Sequence, residues 1–265
     1  MVVNIPSSFV PTNDYVFKRI FGHVGNEEIT KGLLNAILDT KVKKINLEGN
    51  TILERDLKDD KLGVLDIKAV LNNSISCDIE MQLADQENIE ERIVFYWSKM
   101  YISNIHKSEN YEKLEKCIAI LFANFELDKL KNLSKGHTEW KIKEKDYEII
   151  LTDVLELHII SLPRLMELKE KNKLTKAEKE LYTWAKFLIS PEETEVTEMN
   201  KNEALKKAKE QFDIISQDEY EQRLADLRQK ARMDQKARES FVRKERHRRR
   251  RKKQINQNSK RDDEK

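Results

Sequence analysis

The chain of 265 residues predicts a mixed α/β domain followed by a charged helical extension. Three observations predict it. The stretch Leu62–Leu83 alternates polar and apolar residues on either side of Asn72-Asn73, as a tight β-hairpin does. Helical periodicities flank it on both sides. After about Met199 the apolar residues thin out and the charges multiply.

The elements follow in order. Thr12, Asn13 and Asp14 offer N-cap chemistry to a short helix running to Phe21, with Gly22 as its stop. A second helix, Asn26 to Leu38, carries Ile29, Leu33, Leu34 and Ile37 at helical spacing. Lys44 to Leu53 alternates loosely and reads as a strand, and the hairpin comes next. Asp85 to about His106 is a long helix with the stripe Ile89, Ile93, Tyr96, Trp97, Met100 and Tyr101. Cys117 to Phe125 is a continuous apolar run suited to a buried strand. Thr138 to Lys143 and Leu155 to Leu162 read as two further strands, the last ending at Pro163. Thr175 and Glu178 form a capping box before an apolar helix. Ser190 and Pro191 signal another helix start. Leu205, Ala208, Phe212 and Ile215 make a further helical stripe. Ser216 and Glu219 read as a capping box that breaks it, and Tyr220, Leu224, Leu227 and Ala231 resume it. Beyond Phe241 no apolar face remains, and ordering such a segment costs more than it can bury, so the end reads as disordered or as frayed helix.

The chemistry concentrates in the hairpin. Ser76, Asp78, Glu80 and Gln82 share one strand face, while Cys77, Ile79, Met81 and Leu83 share the other. In the preceding strand Asp66 and Lys68 share a face. A hairpin can bring Asp66 close to Glu80, and two neighbouring carboxylates repel unless a cation sits between them. All-oxygen ligation favours Mg²⁺ or Mn²⁺. The bland alternative is a solvated sheet face on which Asp66 pairs with Lys68.

Asp66 followed by Glu80-Met81-Gln82 resembles the core of the PD-(D/E)XK nuclease superfamily, and more narrowly its PD-(D/E)XK nuclease family transposases, the Rpn-type recombination-promoting nucleases. FVPTNDYVFKRIFG resembles that branch's opening segment, and ERIVFYWSKMYISNI its helix carrying Arg and paired aromatics. The resemblance covers about the first two-thirds of the chain. It implies a restriction-endonuclease-like core, a mixed sheet flanked by helices, over residues 1–190. Residues 191–265 are then a helical extension with a basic tail. It implies Mg²⁺-dependent (or Mn²⁺-dependent) endonuclease cleavage of DNA in recombination or transposition-like processing. Asp66, Glu80 and the carbonyl of Met81 would hold the metal, and Gln82 would position the attacking water or a phosphate oxygen. Gln82 stands where the superfamily has Lys, and Leu65 where it has Pro. Lys68 is then a candidate replacement charge, and Asp78 a candidate ligand for a second metal. Lys18 and Asp14 would border the site, and Arg92 would contact a phosphate or orient Glu80.

Composition narrows the partners. Charged residues make up 37%, against roughly 25% in an average globular chain. Arg238 to Lys253 carries a local charge of +8 in a chain of net +2, so the remainder carries −6. Phosphate attraction must therefore come from a local patch or from the tail, which has Arg248, Arg249, Arg250 and Arg251 at its centre. Cys77 and Cys117 lie in apolar runs, which suits buried thiols in a reducing cytoplasm rather than a disulfide or zinc scaffold. No apolar run reaches membrane-span length, and with six glycines there is no phosphate-binding loop for a nucleotide cofactor. The five histidines show no ligand spacing and receive no role. The alternative function is a catalytically weak module on the same fold that binds nucleic acid or a protein, with the C-terminal helices as a homo-oligomer contact.

Overall fold

The computed structural model describes residues 9–48, 67–83, 88–105, 110–194, 196–199, 201–230 and 233. By contacts the chain divides into two units, Met1–Ala225 and Asp226–Lys265. In the second, the described residues are helical.

A six-stranded mixed sheet forms its centre. Its strands are β1 (Ile45–Leu47), β2 (Ile67–Leu71), β3 (Ile75–Gln82), β4 (Cys117–Ala123), β5 (His137–Lys143) and β6 (Ile150–Ser161), in the spatial order β1-β2-β3-β4-β6-β5. The hairpin β2–β3 is antiparallel, with Ile67 opposite Ile79 and Leu71 opposite Ile75. Asn72 and Asn73 turn the chain at φ of 51° and 71°, the left-handed conformation that asparagine adopts at low cost. β3, β4 and β6 run parallel and form the buried centre of the sheet. Every residue of β4 is buried, as its unbroken apolar run predicts. β6 begins at Ile150, five residues before the start read from the sequence, because its first half pairs with β5 while remaining half-exposed.

One face of the sheet carries most of the helices: α1 (Asp14–Phe21), α2 (Glu27–Asn35), α5 (Lys176–Ile189) and α7 (Glu203–Ser216). Their apolar stripes meet Ile67, Ala69, Leu71, Cys77, Ile79, Met81, Ile118, Ile120, Phe122 and Ile160. Phe17, Phe21, Phe122, Trp184 and Phe212 are fully buried there, each contributing about 1.5–3 kcal/mol. α4 (Leu162–Glu170) starts on Ser161, whose hydroxyl accepts from the Arg164 N–H, with Pro163 in its first turn. The capping box at Thr175 forms as read, and Glu178 also accepts from the Gly136 N–H at 2.7 Å. Pro191–Glu193 makes only a 3-10 turn, followed by the single turn α6 (Val196–Met199).

α7 buries Leu205, Ala208, Phe212 and Ile215 in the main core. It lies so close to α2 that a Cβ on Gly32 would come within 2.2 Å of the Ala204 Cβ. Gly32→Ala is therefore expected to lower stability by about 1–3 kcal/mol through overpacking, although alanine is normally the better helix former. Pairing it with Ala204→Gly should restore most of the loss, read as the urea midpoint of both variants. The break after α7 falls as expected, but Asp218 caps the next helix, its carboxylate accepting from the Tyr220 N–H at 2.8 Å. Ser216 donates instead to the Asp213 carbonyl. In that helix Ala225 is buried, whereas Tyr220 is exposed.

The same helix is tied to α1 by charge. Glu221 accepts from the Tyr15 hydroxyl at 2.6 Å and from Arg19 Nη2 at 2.7 Å. Burial and the Glu221 carboxylate both push the Tyr15 phenol well up. Glu221→Ala would leave the buried Tyr15 hydroxyl and the partly exposed Arg19 without this partner, a loss of about 2 kcal/mol in chemical denaturation. A value near zero would mean that water replaces the carboxylate.

Candidate active site beneath helix α3

The other face of the sheet is covered by α3 (Ile89–Ser103). Ile89, Ile93 and Trp97 dock on Cys117, Ala119, Leu121 and Ala123, and the Trp97 indole donates to the Cys117 carbonyl at 2.8 Å. Met100 and Tyr101 of the expected stripe pack at the margin of this cluster. In the parallel register Asp78 lies beside Ala119, Glu80 beside Leu121 and Gln82 beside Ala123. The two alanines leave room in this layer for long polar side chains. Asp78, Glu80 and Gln82 are 7%, 6% and 4% exposed. The bland alternative of a solvated sheet face therefore does not describe these three residues.

Glu80 is the centre of the group. Its Oε1 accepts from Arg92 Nη2 of α3 at 2.5 Å, and Gln82 Nε2 also donates to it. A buried carboxylate needs such partners, since removal from water costs several kcal/mol. The Arg92 guanidinium also lies 5.5 Å from the centre of the Tyr96 ring. The rigid sheet holds Glu80 and Gln82 two residues apart, and one turn of helix brings Arg92 over them.

The remaining predicted residues fall as follows. Asp66 lies outside the described residues, immediately before β2 in the sequence, and Arg248, Arg249, Arg250 and Arg251 also lie outside them. Met81 points its side chain into the core on the opposite face. Lys68 is exposed and pairs in register with Asp78. Lys18 is buried on α1, and Asp14 sits in that helix's first turn, accepting from the Tyr15 N–H at 3.0 Å. Asn13 is the N-cap.

The carboxylates and amide oxygen on this face are hard donors of the kind that suit Mg²⁺ or Mn²⁺, and Arg92 is the cation paired with Glu80. A second cluster lies on the opposite sheet face. Glu139, Glu156 and His158 bring ligand atoms within 4.8 Å of one another, close enough for a metal ion. There Lys116 and Lys141 already neutralise the acids, with Lys116 Nζ 2.6 Å from Glu156 and Lys141 Nζ 2.5 Å from Glu139. His158 bonds Glu156 at 2.9 Å and His137 at 2.8 Å. Two of the histidines that lacked any pattern along the chain, His137 and His158, thus form a pair across β5 and β6. Only the antiparallel register, Glu139 opposite His158 and His137 opposite Ile160, brings them together.

A mixed six-stranded sheet between helices is the architecture of a restriction-endonuclease-like α/β fold. The model of the PD-(D/E)XK nuclease family transposases matches residues 11–240, and the chain belongs to that family. Neither the curated proteins nor the solved structures gave a match. The family is one of nucleases, with DNA as the substrate class and divalent metals as the usual cofactors. Among the described residues no helix is long and apolar enough to cross a membrane.

Proposed function

We propose that the chain is a metal-dependent endonuclease that hydrolyses DNA phosphodiester bonds, with its active centre at Glu80. The observation that supports this best is the burial of Glu80 and Gln82 together beneath Arg92. Asp66 directly precedes Ile67 in the sequence, and Glu80 directly follows Ile79, the partner of Ile67. That adjacency supports Asp66 as the second acid, with the Met81 carbonyl as a third oxygen. A bound divalent cation supplies a Lewis acid and a water that ionises near neutral pH.

The protein's own groups do the rest. Gln82 orients the attacking water or a phosphate oxygen through its amide. It carries no charge, so it stabilises the developing oxyanion less than a lysine would. Arg92 now neutralises Glu80, and it is the group positioned to turn to a phosphate when that carboxylate is otherwise engaged. Lys18 and Asp14 lie on α1, across the sheet from Glu80, and have no part in this reading; Lys68 and Asp78 are accessory groups, and the tail from Arg248 to Arg251 holds the DNA backbone nonspecifically. The physiological setting in this reading is recombination or transposition-like processing in the cytoplasm.

The Arg92–Glu80 pair also favours a second reading. An arginine can replace the cation altogether, leaving a binding module without hydrolysis. Calorimetry with Mg²⁺ and Mn²⁺ separates the two. Saturable binding lost in Asp66→Ala, together with nicking of plasmid DNA, supports the enzyme. DNA binding without metal uptake supports the module.

A further inference from the structure

We propose that the outward face of α3 is a stacking platform for a nucleic-acid strand with unpaired bases, with Phe95 as its ring and Lys99 as its phosphate contact. This rests on the nuclease reading of Glu80 and extends it to the kind of strand the site accepts. Phe95 is 59% exposed on a helix whose packing is already met by Ile89, Ile93 and Trp97. Its ring is held edge-on by Tyr96, with centroids 5.6 Å apart and planes at 75°. The Lys99 ammonium lies 5.6 Å from the Phe95 centroid. Tyr96 in turn carries the Arg92 guanidinium at 5.5 Å, and Arg92 reaches Glu80 at 2.5 Å. A continuous row of rings and cations therefore leads from the buried carboxylate to the surface.

The chemistry of this row selects its occupant. A solvent-facing ring beside a cation receives any base whose own face is free. Within a duplex both faces of each base are covered by neighbours except at its two ends, so along its length only an unpaired base can stack there. Exposed Glu91, one turn before Phe95, offsets Lys99, so this face has no net positive charge to attract a duplex by phosphate contacts alone. Attraction has to come from stacking, which favours the single strand.

The test uses the full chain and fluorescence anisotropy in chelator, so that no cleavage intervenes. The probes are a labelled short oligothymidylate and a blunt duplex of equal length. The wild type should prefer the oligothymidylate, and Phe95→Ala should weaken that binding about tenfold while leaving the duplex unchanged. Phe95→Tyr should restore it, whereas Phe95→Leu, which keeps apolar area without a ring, should not. Equal binding by Phe95→Ala or by Phe95→Leu overturns the platform. So does a Phe95→Ala variant whose only change is a smaller mass by light scattering, which would make this face a protein contact. Metal-dependent nicking with strand binding indifferent to Phe95 sinks the platform and leaves the nuclease. Ring-dependent binding in a chain that never cuts sinks the nuclease and leaves the platform.

Discussion

Glu80→Gln is expected to reduce metal-dependent nicking by at least about a hundredfold while leaving the fold in place. The amide matches the carboxylate in shape, so the layer beneath α3 keeps its packing. What disappears is the charge. Without it the proposed metal site would lose a ligand, and Arg92, 2.5 Å away, loses its counter-charge. That second loss should cost stability on the order of 2 kcal/mol, because a charged hydrogen bond at a mostly buried site is removed. Circular dichroism and a urea midpoint check the fold, and plasmid nicking checks the chemistry. A folded Glu80→Gln variant that cuts at the wild-type rate would remove this carboxylate from the mechanism. Arg92→Gln provides the complementary case. If the arginine serves the substrate, KM for DNA rises; if it only balances Glu80, stability changes and KM does not.

Acid should destabilise the domain well before its carboxylates titrate. Burial, and then the neighbouring His158, hold the His137 imidazole down at about 4, from 6.5 in an unfolded chain, despite Glu139, Glu178 and Asp39. A depressed histidine binds its proton in the unfolded state first. Its cost to stability is therefore absent above pH 6.5, grows as pH falls towards 4, and levels off below that. The full effect is on the order of 3 kcal/mol. Glu156 adds to the same limb lower down. Burial raises its carboxyl, but hydrogen bonds from His158 and Lys116 outweigh that and hold it at about 2. Its contribution is present above its unfolded value and is lost as pH falls towards 2. Urea midpoints measured from pH 7 to pH 4 should drop in the wild type and drop less in His137→Gln. A flat wild-type profile over that range would mean that the imidazole pair opens to water without unfolding the sheet.

Much of the fold can be read along the chain because its signals are local. The alternation of β3, the asparagine turn, the unbroken apolar run of β4 and the capping box at Thr175 each specify an element from a few neighbouring residues. The face shared by Asp78, Glu80 and Gln82 follows from the two-residue period of a strand, and so was legible too. That this face is buried was not, because its cover comes from α3, a separate element further along the chain. The Asp218 cap was missed because Ser216 and Glu219 satisfy the same spacing rule, and only the backbone path decides which residue caps.

What the sequence determined by itself was the order of elements, the polar face of β3 and the family to which the chain belongs, since periodicity and short motifs survive without coordinates. The tertiary structure alone decided that Arg92 meets Glu80, that His137 meets His158, and that Glu221 binds Tyr15 and Arg19. These pairs lie between 12 and 206 residues apart. No local propensity encodes such contacts; they follow from strand register and helix docking, which are set by burial across the whole domain.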